Sequence, residues 1–133
     1  MIIETIVDVA KAMYDLKSKF SALRKERRAE IADFFSDVSK TLHQVQETLA
    51  QGNVPHGQCR QMLSYAGNFE RIVGDVLGQP ESQEFAASLR DAHDAESLLT
   101  ELSHYPGAAE QLAELERASG LYAGLATYVR VVR

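Results

Sequence analysis

Any chemistry in this chain would have to come from four histidines, one cysteine and a surplus of carboxylates. The histidines are His43, His56, His93 and His104. A helical zinc site wants two ligands at i and i+4, and no His-x-x-x-His occurs. Glu101-x-x-His104 matches half of a di-iron carboxylate signature, but that site needs a second such pair and two further inward glutamates. No second Glu-x-x-His exists. His43 and Glu47 share a helix face, as do Glu110 and Glu114, and such pairs are ordinary on solvated helices. Cys59 follows His56 by three residues, yet it sits on an apolar stripe, where a small inert core residue is expected. No glycine-rich phosphate loop follows a strand, and no Gly-x-Ser-x-Gly occurs. We therefore expect no enzymatic activity, no catalytic or metal-ligating set and no cofactor.

Charge is the feature that remains. The net charge of −5 hides a segregation. Lys11, Lys17, Lys19, Arg24, Lys25, Arg27 and Arg28 face only Asp15 and Glu26 within residues 11–28, a surplus of +5. Residues 75–116 hold ten acids against Arg90 alone, or −9, and the last seventeen residues return to +3. Two readings follow. Opposite faces could attract within one fold, or the basic residues could form a surface for an anionic partner or for a second copy. Lys17, Lys19, Arg24, Lys25, Arg27 and Arg28 are the candidate interaction surface. Nucleic acid fits poorly, because the acidic half would repel a duplex and few aromatics sit among the bases.

The elements that carry these residues read as helices. Apolar residues recur at Ile3, Ile6, Val7, Ala10, Met13, Tyr14, Phe20 and Leu23, the spacing of one helix face. A polar stretch from Arg24 to Glu30 interrupts the stripe. It resumes as Ile31, Phe35, Val38, Leu42, Val45 and Leu49, an a/d seam of almost three heptads. An unbroken helix of fifty residues would reach about 75 Å, over twice the width of a compact domain this size. Two helices reversing between Phe20 and Arg28 are expected; one long helix in a coiled-coil assembly is the rival.

Gly52-Asn53-Val54-Pro55 ends the second helix, with Asn53 suited to cap the third and Pro55 to its first turn. The third stripe holds Cys59, Met62, Leu63, Ala66, Phe69, Ile72, Val73, Val76 and Leu77. Gly78 then supplies a C-cap and Pro80 opens the next helix. The fourth holds Phe85, Leu89, Ala92, Leu98, Leu99 and Leu102, with a kink or division at Asp91-Ala92-His93-Asp94, and stops before Pro106-Gly107. The fifth runs from about Ala108 through Leu112, Leu115, Leu121, Tyr122, Leu125 and Val129. Only Val129-Arg130-Val131-Val132 alternates like a strand. Gly120 and Gly124, four apart in a helix, predict close backbone approach to a neighbour. The expected fold is all-α, an antiparallel bundle of four to five helices in a single domain over residues 1–133.

With 45% hydrophobic and 25% charged residues, the chain is neither disordered nor disulfide-rich. A single cysteine gives no sign of an oxidising compartment. No apolar run approaches the length of a membrane span, and the opening Met1-Ile2-Ile3-Glu4-Thr5 lacks the basic region of a signal peptide. A cytoplasmic protein is expected.

The layout resembles the N-terminal four-helix bundle of the HeLo-like, mixed-lineage kinase domain-like family of cell-death proteins. The likeness lies in Ile3 to Phe20 as a first amphipathic helix, the basic turn Arg24-Lys25-Glu26-Arg27-Arg28 and the stripe from Ile31 to Leu49. It continues in Asn53-Val54-Pro55 before a helix with Cys59, Met62 and Phe69. It covers about the first 77 residues and is one of pattern. The resemblance implies an oligomerising module in a cell-death or defence pathway that engages anionic membranes through basic residues on its early helices. The acidic stretch from Asp75 to Glu116 departs from that pattern. The expected function is a non-catalytic bundle acting through a protein partner or self-association. The alternative is a membrane-perturbing bundle that binds anionic lipid.

Overall fold

In the computed structural model, residues 2–91, 95–104 and 108–131 are described. They form six α-helices: α1 (Ile2–Asp15), α2 (Lys25–Ala50), α3 (His56–Leu77), α4 (Gln79–Asp91), α5 (Ala95–His104) and α6 (Ala108–Val131). A 3-10 turn, Lys17–Phe20, lies between α1 and α2. No strand occurs among the described residues, and α6 stays helical through Val129, Arg130 and Val131. The expected fourth helix is two, α4 and α5, and the Ala92–Asp94 division itself lies outside the described residues, as does Pro106-Gly107.

The first 51 residues do reverse, which removes the single long helix, and the break begins earlier than expected, at Leu16. Neither glycine nor proline makes it. The amide of Leu16 is shared between the carbonyls of Ala12 and Met13, and i to i+3 bonds follow at Lys19, Ser21 and Leu23. The Ser21 hydroxyl donates to the carbonyl of Ser18 at 2.7 Å, a local bond that competes with continued helix. Packing fixes the outcome: Phe20 is fully buried and meets the Phe35 ring edge-on at 5.7 Å. Arg24 is extended, at φ −63° and ψ 152°, and α2 starts after it. We call Leu16–Arg24 the elbow.

The a/d seam is the inner face of α2: Ile31, Phe35, Val38, Leu42, Val45 and Leu49 are all buried. Each such side chain stabilises the fold by about 1.5–3 kcal/mol relative to exposure. Leu63 is the exception on the third stripe and is exposed.

The α2–α3 turn corrects the expected cap. Gly52 takes φ +78°, its amide donates to Leu49, and the Asn53 amide donates to Thr48. That pair of bonds is a Schellman ending for α2. Asn53 therefore serves through its backbone, and Pro55 occupies the N-cap of α3 with no side-chain cap. Gly78, at φ +90°, is the one residue between α3 and α4, and it closes the first and opens the second through bonds to Gly74 and from Ser82.

Five helices close a ring in the order α1–α4–α3–α2–α6. Arg27 meets Asp75 and Phe34 meets Phe69, so α2 and α3 run antiparallel. Phe69 against Phe85 sets α3 against α4, and Ser88 against Thr5 sets α4 against α1. Asp33 with Arg130 and Ser39 with Ser119 do the same for α2 and α6. A ring of five cannot alternate throughout. The parallel pair is α1 and α6, where a Cβ on Gly124 would lie 3.4 Å from the Tyr14 ring and Lys17 reaches Tyr128. The elbow, the start of α2 and the end of α6 thus share one end of the bundle. The starts of α1 and α6 share the other.

Candidate interaction surface at the elbow

The six cations singled out from the sequence have three different fates. Arg27 is spent inside the fold. It leaves the first turn of α2, donates to the Ile72 carbonyl on α3, and pairs with Asp75 at 2.7 Å and Glu30 at 3.3 Å. Lys17 lies 4.1 Å above the Tyr14 ring and 5.7 Å from that of Tyr128, a cation–π seat that ties the elbow to α1 and α6. Arg28 lies one heptad before Phe35 on the inner stripe; its Nε and Nη1 are buried without a hydrogen-bond partner among the described residues.

Lys19, Arg24 and Lys25 differ from these. All three are exposed, and none takes part in an ion pair among the described residues. Two sit where the chain leaves the elbow, at the start of α2, whose N-cap residue Arg24 makes no side-chain cap bond. Arg130, at the same end, is held by Asp33 at 2.8 Å.

A second polar constellation was read only in part from the sequence. His43 Nε2 lies 2.6 Å from Glu47 on its own helix, and Nδ1 lies 2.7 Å from Glu116 on α6. Carboxylates only accept, so both ring nitrogens must donate, and the geometry calls for an imidazolium. The Glu116 hydrogen bond and charge raise the His43 pKa above its ordinary value, with a smaller contribution from Glu47. The i, i+4 pair was visible in the sequence; the cross-helix partner was not. Beside it runs an open groove of about 360 Å³ bordered by Lys40, Gly120 and Ala123. Gly120 faces open space there, and a Cβ on Gly124 would meet only the Tyr14 ring at 3.4 Å, an ordinary side-chain contact, so the expected close backbone approach is found at neither glycine.

Cys59 is fully buried on α3, while His56 is exposed. Among the described residues no group of three or more histidine, cysteine or acidic side chains is placed to hold a metal. The side chains of Glu101 and His104, like all of His93, lie outside the described residues. No helix among the described residues is long and apolar enough to cross a membrane. No protein-family model matches this chain, and no curated protein and no solved structure is significantly similar to it.

Proposed function

We propose that the protein is a non-catalytic interaction module whose working surface is the elbow, with Lys19, Arg24 and Lys25 as its contact residues and an acidic protein surface as its partner. One observation carries this reading: those three cations are exposed and make no ion pair among the described residues, while the neighbouring Lys17, Arg27 and Arg130 are each engaged within the fold. An exposed charge adds little to folding, typically under about 1 kcal/mol even when paired. Its effect on encounter with an oppositely charged partner is larger.

The test is binding of the full chain to polyglutamate, to vesicles containing phosphatidylserine, and to neutral phosphatidylcholine vesicles. We expect salt-sensitive binding to polyglutamate, weakened about tenfold or more in a Lys19→Gln, Arg24→Gln, Lys25→Gln variant that melts like the parent. Preference for the anionic vesicles over polyglutamate would transfer the surface to a membrane role, as the HeLo-like resemblance implies. Absence of binding to either anionic probe at low salt would refute the elbow as a working surface.

A further inference from the structure

The end of the bundle opposite the elbow has a complementary character. Because α1 and α6 run parallel, their first turns lie side by side. This brings Glu4 and Asp8 of α1 to the same groove as Glu114 of α6, about 270 Å³ in volume, with the buried Ile3 and Val7 beneath it. Among the described residues Lys11 is the one cation in that lining. Glu4 favours the positive end of its helix, but Asp8 lies a turn further on. Among the described residues Glu114 has only a 3.9 Å contact with Arg117.

Glu114 does not neutralise the elbow within one molecule. Lys17 of the elbow lies over Tyr128. Fourteen residues of α6 separate Glu114 from Tyr128, a rise of about 21 Å. That is over twice the Debye length of about 8 Å at physiological ionic strength. The attraction of opposite faces inside one fold, open from the sequence, is therefore largely screened for these two groups.

We infer that the occupant of the α1–α6 groove is the elbow of a second copy. Three cations that make no ion pair among the described residues meet a groove whose Glu4, Asp8 and Glu114 outnumber its cation Lys11, so the two surfaces are complementary in charge. The two surfaces differ, so the contact repeated head to tail builds an open row or a ring, and made reciprocally by two antiparallel copies it closes a two-fold dimer. This inference rests on the reading of the elbow as a working surface and names what that surface meets.

The test uses the full chain and two neutralised variants, followed by sedimentation velocity. The elbow variant is Lys19→Gln, Arg24→Gln, Lys25→Gln; the groove variant is Glu4→Gln, Asp8→Asn, Glu114→Gln. The parent should associate at low salt, with mass rising with concentration, and dissociate at high salt. Each variant alone should lose association about tenfold or more. Their mixture should form one-to-one pairs and nothing longer, since one intact elbow and one intact groove remain. Thermal melts establish that both variants are folded. If the groove variant melts early, Asp8→Asn with Glu114→Gln replaces it. A mixture that stays monomeric would overturn the inference, as would a parent that is monomeric at low salt. If that parent still binds polyglutamate through its elbow, self-association fails and the elbow reading stands. If it binds neither polyglutamate nor anionic vesicles, both fail.

Discussion

Arg27 and Arg28 are adjacent, yet replacing each by methionine should move stability in opposite directions. Arg27 holds α3 to α2 through the Ile72 carbonyl and Asp75. Asp75 and Glu30 are 64% and 53% exposed, so their share is that of a surface pair, under about 1 kcal/mol. The carbonyl bond adds about 1 kcal/mol. Arg27→Met should therefore cost about 1–2 kcal/mol. Arg28 points the other way, because its Nε and Nη1 are sealed from water with no partner. An unsatisfied buried polar group costs about 1–3 kcal/mol. Arg28 as a whole is half-buried, so the lower part of that range applies. Methionine is unbranched and flexible enough to fill irregular space on the stripe before Phe35. Arg28→Met should raise stability by about 1–2 kcal/mol. Urea melts with unchanged m-values would measure both, and thermal midpoints should move by several degrees in opposite directions. If Arg28→Met destabilises by about 1 kcal/mol or more, or if both variants shift the same way, the guanidinium is satisfied and the reasoning fails.

Other expectations are more local. Glu116→Gln should lower the His43 pKa, read by NMR titration, because it removes the main cause of its elevation. A raised folded pKa gives stability that is present below the ordinary value of about 6.5 and lost as pH rises through the folded value. The melting difference between parent and variant should shrink across that window, and a pH-independent difference would refute the clasp. Leu42→Ala, on the buried seam, should cost about 2–5 kcal/mol in denaturant melts, and under about 0.5 kcal/mol would contradict its burial. Gly52→Ala should cost about 1–2 kcal/mol, since a Cβ there has open space but the wrong backbone angle. Asn53→Ala should stay within about 0.5 kcal/mol, and a larger loss would restore the side-chain cap. Tyr122→Phe should be neutral or stabilising, because its hydroxyl is buried without a partner and burial pushes its pKa up.

Periodicity made the helices legible. The stripe from Ile31 to Leu49 is buried at every position because an a/d pattern leaves only one face free to turn inward. The turns were legible only where a residue type forces a backbone angle. Gly52 and Gly78 both take positive φ. Asn53 misled because its residue type suits an N-cap, while its amide was needed to close the preceding helix. The elbow gave no glycine or proline signal. It is made by a serine bond and by Phe20 finding Phe35, and the second is a tertiary contact that local propensity does not record. The parallel α1–α6 pair was likewise outside local reach. It follows from closing five helices into a ring.

The candidate surface shows where residue counting stops and geometry begins. Seven cations within residues 11–28 read as one basic cluster when only composition is available. Helical position divides them. Arg28 stands seven residues before Phe35 and so continues the inner stripe, a placement that the heptad spacing itself contains. Arg27, one step of about 100° further round, reaches α3, and nothing in the local sequence names Asp75 as its partner. Lys17 is bound to the rings of Tyr14 and Tyr128, residues more than 100 positions apart in the chain. Lys11 lines the acidic groove, and what is left, Lys19, Arg24 and Lys25, flanks the buried Phe20. The anchor and the surface are thus one device. Phe20 fixes the path of the elbow, and that path holds three cations in water at the end of the bundle farthest from its acidic groove.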